Sequence, residues 1–70
     1  MTREEWISEF AGRVGTEPPT PKEVEELLDL AAIAAHASER TAAPLACWIA
    51  GRAGSSLEEA RAAARQVGSG

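Results

Sequence analysis

Seventy residues with a formal net charge of −4 make one small acidic domain, and 44% apolar residues place it among folded chains. The negative balance argues against a nucleic-acid partner, which needs a basic footprint to exchange for condensed counterions. One cysteine (Cys47) and one histidine (His36) exclude an intrachain disulfide and leave no recognisable zinc set, so neither metal nor cofactor is expected.

The first helix is predicted over about residues 3–14. Thr2 and Glu5 have the S/T-x-x-E spacing of a capping box, in which the hydroxyl accepts from the N3 amide while the Glu reaches back to the cap. Trp6, Phe10 and Val14 recur every four residues with Ile7 and Ala11 beside them, which reads as one buried stripe. Gly15 is placed to be the left-handed C-cap. A stiff linker, Glu17-Pro18-Pro19-Thr20-Pro21, follows.

Thr20 and Glu23 form a second capping signature, with Pro21 at N1, where its missing amide costs nothing. The second helix is predicted over 21–38. Between Leu27 and Ala37 only Asp29 and His36 are polar, so this helix is expected to be central. That same interruption leaves no apolar run with the length of a membrane span, and no signal-peptide pattern is present. A cytoplasmic chain with no membrane partner is the expectation.

A third helix is predicted over 43–53, with Pro44 in its first turn. Leu45, Trp48, Ile49 and Ala53 read as its inward stripe; Ala46, Ala50 and Gly54 make a second stripe of small residues that would permit a close helix approach. The fourth helix, 57–67, opens on the Ser56–Glu59 capping signature and buries Leu57, Ala60, Ala64 and Val67 at most. Its acids at the start and Arg61 and Arg65 towards the end complement the helix dipole. The fold class is therefore all-α, a compact array of four short helices over 1–67, with 68–70 a flexible tail. Much of the apolar content is alanine, and a core that thin rarely supplies more than roughly 3–5 kcal/mol net. Self-association as a homodimer, or docking on a larger protein, follows as an expectation.

The candidate chemistry is sparse. Lys22, Glu25, Glu26, Asp29, His36 and Arg40 fall near one face of the second helix; this is a ligand stripe or simply a solvated face, and the plainer reading is preferred. His36 is the one residue whose ordinary pKa suits a general base, but it lacks an evident nucleophile and sits where histidines cap helix ends. Cys47 reads as a small buried hydrophobe. For Trp6 and Trp48, core packing of at least one is preferred to partner anchoring. Arg40 can present its guanidinium to a carboxylate or phosphate, although a salt bridge with the acidic first half is the plainer role. Residues 1–39 hold nine acids against Arg3, Arg13 and Lys22, and residues 40–70 hold four arginines against Glu58 and Glu59. No phosphate loop, hydrolase triad or metal motif is present, so no catalytic residue is assigned.

The segments Leu27-Leu28-Asp29-Leu30-Ala31, Ala35-His36, Glu39-Arg40, Ala43-Pro44-Leu45, Trp48 and Gly51, with Trp6 and Phe10-Ala11 before them, carry a resemblance over nearly the whole chain. It resembles a small actinobacterial family of helical domains of unknown function, found alone or as C-terminal tails of molybdenum-cofactor guanylyltransferase-like proteins. The resemblance implies a non-enzymatic accessory module and a nucleotidyltransferase of that pathway as protein partner. The partner- or ligand-binding candidates are His36, Glu39, Arg40, Pro44 and Trp48, which cluster at a specified helix–helix corner. The alternatives are a sensor for a small ligand or anion and a structural homodimer.

Overall fold

The computed structural model describes residues 1–68; of the expected tail, Ser69 and Gly70 lie outside the described residues. Four helices follow one another: α1 (Arg3–Val14), α2 (Pro21–Ala37), α3 (Ala42–Ala53) and α4 (Leu57–Gln66). No strand occurs among the described residues. The all-α, four-helix architecture is as expected, with boundaries within one residue of the predicted ones.

The helix starts form by the chemistry the sequence announces. Thr2 Oγ1 accepts from the Glu5 amide at 3.1 Å and the Thr2 amide donates to Glu5 Oε1 at 2.7 Å. Thr20 and Glu23 repeat the exchange at 3.2 and 2.8 Å. Ser56 and Glu59 do so at 3.1 Å in both directions. Each box satisfies two amides that the first helical turn otherwise leaves unpaired. α1 ends in a Schellman motif: Gly15 takes φ 86°, its amide donates to Gly12 O, and the Thr16 amide donates to Ala11 O at 2.9 Å. Gly54, at φ 71°, ends α3 in the same left-handed conformation.

As expected, α2 is central, packing against both α3 and α4. The contact faces are small. α3 turns Ala46, Cys47 and Ala50 inward, and Ala50 is buried. α4 contributes Leu57, Ala60 and Ala64, all half-buried, while Val67 is exposed, contrary to expectation. Leu30 of α2 is the one large side chain that is buried among the described residues, with Leu27 and Ile33 partly covered.

Two further expectations are overturned. The inward face of α3 is Ala46, Cys47 and Ala50, not Leu45, Trp48, Ile49 and Ala53: Ala53 is exposed and the three large residues are 60–64% exposed. Alanines let the α2 and α3 backbones approach closely, and the bulky residues a third of a turn away are then directed outward. In α1, Ala11 is buried and Ile7 half-buried, whereas Trp6, Phe10 and Val14 are 50–61% exposed. Both tryptophans therefore lie at the surface, where Trp6 stacks on Phe10 at 5.2 Å between centroids.

Candidate functional site

The predicted corner between α2 and α3 is built by backbone hydrogen bonds. The Ser38 amide donates to Ala34 O at 3.1 Å and ends α2. The Glu39 carbonyl accepts from the Ala42 amide at 2.9 Å and the Arg40 carbonyl from the Ala43 amide at 3.1 Å, which tie down the first turn of α3. Pro44 in that turn needs no amide partner. Thr41 caps nothing with its side chain; its hydroxyl donates to Glu39 Oε1 at 3.2 Å. The backbone of Glu39 and Arg40 thus holds the corner, and their side chains are exposed.

All five candidates are exposed: His36 in the last turn of α2, Glu39 and Arg40 in the connection, Pro44 and Trp48 on α3. Pro44 and Trp48, four residues apart, share a helix face. The expected salt bridge between Arg40 and the acidic first half does not form. The other arginines are engaged: Arg3 with Glu4, Arg13 with Glu9, Arg61 with Glu26 and Asp29, and Arg65 with Asp29. The Arg52 guanidinium lies 5.1 Å from the centroid of the Trp48 ring and covers one of its faces. Among the described residues, Arg40 is the arginine that presents its guanidinium to solvent without an ion pair or ring contact.

The polar line along α2 is divided. Arg61 Nη1 donates to Asp29 Oδ2 and its Nη2 to Glu26 Oε2, both at 3.1 Å, and Arg65 Nη2 donates to the same Asp29 oxygen at 3.0 Å. Glu26 and Asp29 therefore anchor α4, and the solvated-face reading fails for these two carboxylates. The signal was present in the spacing, since i,i+3 acids on α2 match i,i+4 arginines on α4. Arg61 and Asp29 are 32 residues apart, however, and no local rule pairs them.

The grooves lie away from the corner. An apolar groove of about 340 Å³ separates α1 from the start of α2 and is walled by Ile7, Pro19, Val24, Leu27 and Leu28. A shallower one runs from Pro18 and Pro19 of the linker to Cys47, Ala50 and Gly51 of α3. Burial pushes the Cys47 thiol above its ordinary range, and its Sγ lies 3.8 Å from Leu27 O. Cys47 is half-buried at the edge of this groove, where it was expected to be buried outright, and the raised pKa disfavours its thiolate.

The profile of a family described as a domain of unknown function (DUF6457) matches residues 1–69. This chain belongs to that family. No curated protein and no solved structure is detectably similar to this DUF6457 domain. Family membership covers the corner, both grooves and the α2–α4 ion pairs alike, so any function has to be argued from their geometry. No helix among the described residues is long and apolar enough to cross a membrane.

Proposed function

We propose that this DUF6457 domain is a non-enzymatic, cytoplasmic docking module whose α2–α3 corner receives a protein partner. The unpaired, exposed Arg40 carries the reading. In a chain with more acids than bases, a guanidinium without a carboxylate at a rigid corner is available for a charge-assisted, bidentate bond to a partner's carboxylate. His36 and Glu39 flank it with further polar groups, and Pro44 and Trp48 supply an apolar shelf of the kind that anchors interfaces. The corner itself is held by backbone hydrogen bonds, so ordering it on binding costs little.

The resemblance to tails of molybdenum-cofactor guanylyltransferase-like proteins supports a nucleotidyltransferase of that pathway as the partner. An amide-resolved NMR titration of the labelled domain with such an enzyme tests both parts. Shifts clustered on 36–48, lost in Arg40→Ala with helicity unchanged, are the expected result. Shifts confined to other surfaces would remove the corner, and no shifts at saturating enzyme would remove the pathway link.

A further inference from the structure

The folded chain exposes more surface than its mass accounts for. A compact monomer of 7.3 kDa has an accessible area of about 4,200 Å² by the usual scaling with mass. This one has 5493 Å². Its radius of gyration is 12.8 Å against roughly 11 Å for a compact domain of this length, and it extends 41 Å along its longest axis. The surplus of about 1,300 Å² per chain, doubled, falls within the range of about 2,000–5,000 Å² that obligate homodimers bury.

The surplus is apolar and lies on two helices. Trp6, Phe10 and Val14 line one face of α1, and Leu45, Trp48 and Ile49 line one face of α3, all half exposed or more. α1 packs only lightly on the rest of the molecule, whereas α3 and α4 each pack closely on α2. The linker that follows α1 borders the same groove as Ala50 and Gly51 of α3. The two faces also match: both helices have 12 residues. α1 carries Glu4, Glu5 and Glu9 against Arg3 and Arg13, one net negative charge, and the single charge on α3 is Arg52.

We infer that a second copy of this chain covers these faces, in a two-fold dimer where α1 of each copy packs along α3 of the other. Two-fold symmetry uses each contact twice, so one interface buries both apolar faces and sets the negative helix against the positive one. Arg40, His36 and Glu39 lie off those faces and remain open in the dimer. Trp48 belongs to both surfaces, so the dimer covers the aromatic part of the docking shelf and leaves the polar part of the corner open.

The test uses the purified chain alone. Sedimentation equilibrium across a dilution series should give twice the 7.3 kDa chain mass in the micromolar range. Phe10→Glu and Ile49→Glu, each placing a charge at the centre of one face, should each weaken the dimer about 30-fold or more. In a mixed-labelled sample, isotope-filtered NMR should connect the Phe10 ring to the Leu45 and Ile49 methyl groups between chains. A wild-type chain of single mass at every concentration overturns the proposal. A dimer indifferent to both substitutions, or one whose intermolecular contacts join α1 to α1 and α3 to α3, overturns the reciprocal arrangement.

Discussion

At the scale of single residues, the capping carboxylates make a prediction about acid. Hydrogen bonds from the Thr2 amide and hydroxyl hold the Glu5 carboxyl below its ordinary value, and those from Ser56 do the same for Glu59. A carboxyl whose folded pKa is depressed contributes stability that is complete above its unfolded pKa and is lost as pH falls through the folded one. Helicity of the wild-type chain should therefore be flat from neutral pH down to about 5 and decline below about 4.5, the unperturbed value. In Glu5→Gln/Glu59→Gln the acid-dependent part of that decline should shrink, because glutamine accepts the same bonds without titrating. Circular dichroism against pH reads the difference, and an unchanged titration in the double variant would show that the caps do not couple to protons.

At the scale of elements, helix positions were legible and helix faces were not. Three capping boxes, Pro21 at N1 and Gly15 at the C-cap are local chemistry, and local chemistry survives into the fold. Orientation is decided between helices. For α3, side-chain size favoured Leu45, Trp48 and Ile49 as the buried face, but the close approach to α2 favours Ala46 and Ala50. Of the corner candidates, Glu39 and Arg40 lie in the short connection, which exposes them whatever the packing, whereas the exposure of Trp48 on α3 was not legible. The pairing of Arg61 and Arg65 with Glu26 and Asp29 was not, since it forms only once α4 folds back on α2. The face assignment has a direct consequence. Ala50→Leu forces bulk into the α2–α3 contact and should destabilise by about 1–3 kcal/mol. Ile49→Ala, one residue earlier, removes a side chain that is 60% exposed and should cost well under that in the isolated monomer. Urea denaturation of both variants in dilute solution checks the order, and a larger loss for Ile49→Ala would reverse the face.

The α2–α4 contact belongs to the same scale, and it joins ion pairs to a small apolar face. Arg61 is three-quarters covered, its partner Glu26 more so, and Arg61 Nε is buried without a hydrogen-bond partner. An ion pair in such a setting gains more than a surface pair and still carries a desolvation penalty. Arg61→Ala leaves a largely covered Glu26 without its cation and should cost roughly 1–2 kcal/mol. Arg65→Ala loses one bond from a more exposed side chain to Asp29 and should cost less than about 1 kcal/mol. Thermal melts of the two variants at low and high salt separate them: the gap between wild type and Arg61→Ala should narrow less with salt than that for Arg65→Ala, because the covered pair is less screened.

At the scale of the whole molecule, a core in which Ala11, Leu30 and Ala50 are the buried apolar residues among those described gives a lone chain little stability to draw on. The faces left open on α1 and α3 then become part of the folding problem and not an ornament of it. If a second copy covers them, folding and association are one equilibrium, and stability depends on concentration by mass action. Each tenfold rise in protein concentration then adds about 1.4 kcal/mol per dimer. With an unfolding enthalpy near 0.7 kcal/mol per residue, the same tenfold rise should lift Tm by roughly 5 °C. Melts of the wild-type chain over two decades of concentration should therefore separate by about 10 °C, while Phe10→Glu should melt lower and at nearly the same temperature throughout. A wild-type Tm that does not move with concentration would mean that the three closely packed helices suffice alone, and that the apolar faces of α1 and α3 are not covered by a second copy.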